Sequence, residues 1–234
     1  NGINAFDTAR VYMEAEHSFG NWLEKSGRRE EVVILSKCGH PDAMWNKRVN
    51  EKEMRKDLKK SLEELKTDYI DIYMLHRDDP DTEVAVAVET FNAMHEEGNI
   101  GAFGASNWTH TRIEEANEYA YKHNLIPFSV SSPNFCLARQ IEDPWGGGCV
   151  NISGPENIEA RAWYEKNQMP VIAYASLGRG FFSGRMKSVN ADHAEDYLDS
   201  LAMKGYACPD NFERLRRFEI LAEKHGVTVA QIAM

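Results

Sequence analysis

Residues 50–76 read NEKEMRKDLKKSLEELKTDYIDIYMLH, and two periods meet in them. Met54, Leu58, Leu62 and Leu65 recur at steps of three and four, with charges on the other face. That is the spacing of an amphipathic helix. Asn50 stands where a cap belongs, and Glu53, three residues on, is the return partner of a capping box. The run Ile70–Leu75 that follows is short and largely apolar, as expected of a strand covered on both faces. It ends on a titratable side chain, His76.

Working outward, the same unit repeats. Strands are predicted at Ile3–Phe6, Val32–Ser36, Ile70–Leu75, Ile100–Ala105, Phe128–Ser131 and Val171–Tyr174. Helical periodicity falls near 14–25, 51–66, 83–97, 109–123 and 155–168, with Thr109, Thr111 and Ser153 as further candidate helix starts. Parallel strands need crossovers and helices supply them, so the alternation predicts an α/β fold with a parallel sheet. A doubly wound sheet would carry a Gly-rich turn after its first strand, and none is present. The prediction is a (β/α)8 TIM barrel forming one domain over 1–234. The long connections 136–154 and 175–209 lie on the side where barrel enzymes work.

Of 234 residues, 27 are Lys or Arg and 37 are Asp or Glu, a net charge of −10. That balance opposes binding to nucleic acid or to an anionic membrane. No apolar run reaches the ~18 residues of a membrane span, and no signal peptide opens the chain. Cys38, Cys136, Cys149 and Cys208 form no CxxC pair, which predicts free thiols in a reducing cytoplasm.

Polar residues close the apolar runs: Asp7, Lys37, His76, Ser106 with Asn107, and Tyr174. Each alone has a structural explanation, as a cap, a surface lysine or a satisfied histidine. In a barrel, however, these strand ends converge on one face, with Tyr12 close behind Asp7. A nearby ammonium favours the phenolate and lowers the ordinary pKa of a phenol, ~10. A carboxylate keeps such an ammonium charged. Asp7, Lys37 and Tyr12 therefore read as a tuned general acid, with His76 orienting the group that receives the proton. Reducing a carbonyl also needs a hydride, which no side chain supplies. A metal-dependent hydrolase built on Asp7, His76, Asp78 and Asp79 is a poorer fit, because only His76 stands at a strand end as an imidazole ligand. No metal is expected.

The chain resembles the aldo-keto reductase family over essentially its whole length. NAFDTARVY is similar to that family's segment with the catalytic Asp and Tyr (Asp7, Tyr12), ILSKCG to its lysine segment (Lys37), and IDIYMLHRDDPD to its histidine segment (His76). GNIGAFGASNW resembles the segment whose Ser and Asn hold the nicotinamide carboxamide, here Ser106 and Asn107. VIAYASLGRGFFSG resembles the segment whose Tyr stacks on nicotinamide, which implies that role for Tyr174. It also implies that Ala175, Leu177, Gly178 and Gly180 approach the cofactor's phosphates. The resemblance implies NADP, or NAD, as cofactor and a small-molecule aldehyde, ketone or sugar-like carbonyl as substrate. It leaves a second possibility, a nucleotide-binding regulatory subunit that mainly binds a protein partner, since the family has channel-associated members.

The sequence also departs from the family pattern. Ser132 stands where the family usually has a carboxamide-binding Gln, and Ala175–Ser176 replaces Ser–Pro. Six strands are countable where a barrel has eight. The resemblance implies that a first strand and helix precede Asn1 and a last strand follows Met234. The segment that grips the adenosine end, and with it the NADP-versus-NAD choice, would lie there. Trp45, Trp108 and Trp145 on strand-end loops could wall an aromatic pocket or, equally, pack onto the barrel rim. The sequence does not give the oligomeric state.

Overall fold

The computed structural model describes residues 2–234. The chain divides into two compact units, one ending at Ser131 and one beginning at Ser132. In the first, strands β1 (Ala5–Asp7), β2 (Val33–Cys38), β3 (Ile70–Leu75) and β4 (Ile100–Ser106) alternate with helices α1 (Ala15–Ser26), α2 (Glu51–Leu65), α3 (Val84–Glu96) and α4 (His110–Lys122). Strand β5 (Val130–Ser132) closes the series. The strands lie in the order β1-β2-β3-β4-β5, and the first three pairings are parallel. A doubly wound sheet reverses its order partway across. This one never does, and it has the arrangement of a partial (β/α)8 barrel. Among the described residues, no helix is long and apolar enough to cross a membrane.

Two-residue periodicity in register fixes where the strand-end side chains point. Asp7 pairs with Leu35, and Lys37 is two residues beyond Leu35. Lys37 pairs with Met74, and His76 is two beyond it. Met74 pairs with Gly104, and Ser106 is two beyond that. Asp7, Lys37, His76 and Ser106 therefore share one face at the carboxyl ends of four adjacent strands.

Behind them, Tyr73, Phe91, Phe103 and Phe128 are buried and in mutual ring contact, with Phe91 and Phe103 stacked at 5.4 Å. Trp108 joins this cluster at 5.5 Å from Phe128 and is 1% exposed. It is core, which decides for packing over the pocket wall at this position.

Helix α2 keeps half of its predicted capping box. Asn50 accepts the Glu53 backbone N–H at 3.0 Å, but the Glu53 carboxylate is taken by Arg48 at 2.9 Å. Thr109 caps α4 as expected, accepting from Arg112 N–H at 3.2 Å. Helices α1 and α2 meet at Gly20, where a Cβ would stand 2.0 Å from the Glu64 carbonyl oxygen. That oxygen is helix backbone and cannot swing aside. Gly20→Ala is therefore expected to lose about 1–3 kcal/mol or more, against the ~1 kcal/mol gain that helix propensity alone predicts. A denaturant unfolding curve reads the sign directly.

In the second unit, the predicted strand Val171–Tyr174 is not formed. Tyr174 makes an isolated bridge to Asn134, and Val171 is 38% exposed. An apolar run becomes a strand only with neighbours to pair with, and the isolated bridge positions at Val171 and Tyr174 do not extend into a ladder. The predicted loop 175–209 is also partly helical, with a 3-10 stretch at Ser188–Asp196 and α6 (Ser200–Tyr206) after α5 (Ile158–Asn167). Helices α7 (Pro209–His225) and α8 (Val229–Ala233) follow. Phe181, Phe182, Met186, Tyr206 and Leu215 form the buried centre of this unit.

Candidate active site

Lys37 is 3% exposed, and its ammonium forms an ion pair with the Asp7 carboxylate, 41% exposed. It also donates to the Thr8 carbonyl at 3.1 Å. Burial pulls the Lys37 pKa below the ordinary lysine value, and the charge and hydrogen bond of Asp7 oppose that fall. Asp7 is what keeps a dry lysine ionised.

Tyr12 arrives on the loop between β1 and α1. The loop continues the sheet for one step, with Thr8 N–H donating to Leu35 at 2.8 Å and Arg10 N–H to Lys37 at 3.0 Å. It then turns back, Tyr12 N–H donating to Ala9 at 2.9 Å, with Met13 at φ 48°. The fully buried Glu16 anchors it, pairing with Arg10 and accepting the Ser36 hydroxyl at 2.6 Å. The outcome is a half-open phenol, 46% exposed, with Lys37 Nζ 5.4 Å from the ring centroid and the His76 ring edge-on at 5.5 Å.

His76 is buried, and its backbone N–H donates to the Cys38 carbonyl at 2.8 Å. Burial, then the charges of Lys37, His40 and Arg77, push its pKa down to about 2. The ring is neutral, with a single proton. Its Nδ1 is covered and has no partner among the described residues. An unbonded buried N–H costs more than an unbonded lone pair, so the proton belongs on Nε2. The Asn107 side-chain amide donates to the His76 carbonyl at 3.1 Å and to the Ser106 hydroxyl at 3.0 Å, from a residue at φ 60°.

Asp7, Tyr12, Lys37, His76, Ser106 and Asn107 are thus brought together within the first unit. Ser132, Tyr174, Ala175, Leu177, Gly178 and Gly180 belong to the second. There Ser132 is buried, and Tyr174 lies 6.4 Å from Trp145. Residues 175–180 make a tight turn, with Ala175, Gly178, Arg179 and Gly180 all at positive φ and Gly178 N–H donating to Ala175 at 2.8 Å. Arg179 stacks on Trp145 at 4.7 Å and pairs with Asp199 at 3.1 Å.

Sequence reasoning missed His40. Its ring lies 4.9 Å from His76, edge-on, with Nδ1 2.8 Å from the Pro41 carbonyl. A carbonyl only accepts, so Nδ1 carries the proton of that imidazole. Arg48 steadies this loop through the His40 carbonyl at 3.2 Å and through Asp57, which also accepts Gly39 N–H at 3.0 Å. The one available signal was position, three residues past Lys37. A surface groove of about 880 Å³, lined by Arg29, Leu62, Lys66, Thr67 and Asn99, lies at the opposite ends of the strands, away from this chemistry.

Comparison with known proteins adds independent findings. A family model described as "Aldo/keto reductase family" matches residues 1–234. The chain is 24% identical over 238 residues to aldo-keto reductase str7 of Strobilurus tenacellus, covering all of this chain and 64% of that protein. It is 27% identical over 267 residues to protein tas of Escherichia coli, covering 100% of this chain and 72% of that one. It is 32% identical over 251 residues to a putative voltage-gated potassium channel subunit beta of Schizosaccharomyces pombe, covering 100% and 67%. The chain therefore spans about two thirds of the length of these relatives.

Proposed function

Because this chain belongs to the aldo/keto reductase family, we propose that it is an NAD(P)H-dependent oxidoreductase reducing a small aldehyde, ketone or sugar-like carbonyl to the alcohol. The observation that supports this most directly is the Tyr12 ring held against both Lys37 Nζ and the His76 ring.

The residues suit a nicotinamide nucleotide. At Gly180, φ is 95° and a Cβ would meet nothing within 4 Å, so the backbone is open on that side. Successive turns of this kind present N–H groups to phosphate oxygens. In this reading Ser106, Asn107 and Ser132 hold the carboxamide, Tyr174 stacks on the ring, and Ala175, Leu177, Gly178 and Gly180 line the phosphates. When bound, the nucleotide supplies the hydride.

The chain's own groups handle the oxygen. His76 Nε2–H donates to the carbonyl and fixes its direction. Tyr12 gives its phenolic proton to that oxygen as negative charge develops on it. Lys37 lies beside the phenol ring as a fixed cation, held charged by Asp7. A neutral His76 suits this division, since it donates a hydrogen bond without competing as the acid.

One relative favours a second reading. The fission-yeast protein is named a potassium channel beta subunit, and at 32% identity over the whole chain it supports a nucleotide-binding partner subunit with little turnover. Titrating NADPH and NADH by fluorescence, then following loss of the reduced nucleotide across a carbonyl panel, separates the two. Turnover that depends on both nucleotide and carbonyl is expected. Tight nucleotide binding with no turnover across the panel would favour the subunit.

A further inference from the structure

Arg77 follows His76 directly, where β3 gives way to its loop. It differs from the other cations around these strand ends. Lys37 is matched by Asp7, Arg48 by Glu53 and Asp57, Lys47 by Asp79, and Arg112 by Asp78. Arg77 has no ion pair and no hydrogen bond among the described residues, and its Nε is covered without a partner. The side chain is half-buried, which leaves its outer nitrogens as the part open to solvent.

The imidazoles of His40 and His76 lie within reach of its charge. Both His40 and His76 have pKa values lowered first by burial, with the Arg77 charge adding to the fall in each. The next residue, Asp78, is engaged by Arg112 and does not neutralise it. A partly dry guanidinium with no counter-ion is unfavourable by itself, and a ligand anion corrects it. Its planar fork matches the paired oxygens of a carboxylate or phosphate.

We propose that Arg77 binds an anionic group of the substrate beside His76, so that this site prefers carbonyl compounds bearing a carboxylate or a phosphate. The substrate part rests on the reductase reading, whereas the anion site itself does not.

Matched pairs test it on the protein: 4-oxobutanoate against butanal, and glyceraldehyde 3-phosphate against glyceraldehyde. The wild type is expected to favour the charged member by about tenfold or more in kcat/KM. Arg77→Met keeps the stem and should collapse that ratio by a similar factor. Arg77→Lys should restore part of it. The pair showing the larger ratio tells carboxylate from phosphate. A wild type with no charge preference, or an Arg77→Met variant that loses both members equally, overturns the inference.

If no carbonyl is turned over, the anions succinate and inorganic phosphate are titrated by calorimetry into wild type and Arg77→Met. Binding lost in the variant upholds the anion site while the reductase reading falls. Binding that is absent, or equal in both proteins, overturns the site itself.

Discussion

Tyr12→Phe is expected to lower carbonyl reduction about 100- to 10,000-fold, the range of a lost general acid, while nucleotide affinity stays close to wild type. The substitution isolates a single O–H. A phenyl ring keeps the edge contact with His76 and the approach of Lys37 Nζ, both of which involve the ring rather than the oxygen. The side chain is half-exposed, so little burial is at stake and the unfolding midpoint should hardly move. Tyr12→Ala would remove the wall beside His76 as well and so confounds the test. Steady-state kinetics with a parallel nucleotide titration reads the result. Near-normal turnover by the Phe variant would remove Tyr12 from the chemistry and return the proton donor to an unknown group.

Legibility of the fold depended on how local each signal was. Strand β3 was predicted to the residue, because Ile70–Leu75 is apolar apart from Asp71 and is bounded by a helix end and a titratable residue. Helix α2 was equally clear, since its buried Met54, Leu58 and Leu65 follow the period that the sequence displays. Val171–Tyr174 has the composition of a strand, but pairing partners are a property of the fold and not of the run. Helices α6 and α7 went unread for another reason. The period is present in α7, where Phe212, Leu215, Phe218 and Ala222 pack on the cluster of Phe181 and Phe182, but α6 is too short to display one.

The candidate site divides the same way. Asp7, Lys37, His76 and Ser106 were readable because each ends an apolar run, and the parallel register then places them on one face. His40, Glu16 and Arg77 end no run. Glu16 looks like an ordinary charge in a helix's first turn, yet it is fully buried under Ser36 and Arg10. Nothing in spacing distinguishes a solvated acid from one that anchors the loop bearing the proton donor. Trp108 stayed open in the sequence, because a tryptophan after a strand end suits either a pocket wall or a core, and Phe128 decided it.

The second large effect concerns the Asp7–Lys37 pair, and its two members should fail differently. Both Lys37→Met and Asp7→Asn are expected to lower turnover steeply, about 100-fold or more, by removing or discharging the cation beside Tyr12. Their stabilities should diverge, because the partners are unequally exposed, 3% for Lys37 against 41% for Asp7. Lys37→Met takes away the dry charge and leaves a carboxylate that water can solvate, so stability should hold or rise slightly. Asp7→Asn leaves a dry ammonium with a neutral amide and the Thr8 carbonyl, at a cost of about 2–3 kcal/mol. Lys37 in the fold already titrates below its unfolded value of ~10.4, and loss of Asp7 lowers it further. Between those two values the unfolded chain binds more protons, so stability rises with pH. The Asp7→Asn deficit should therefore shrink as pH climbs through the folded-state value towards ~10. Denaturant unfolding of both variants at neutral and alkaline pH checks the sign. An Asp7→Asn deficit that persists unchanged at alkaline pH would mean that the carboxylate holds the loop mechanically, and that keeping Lys37 charged is not its role.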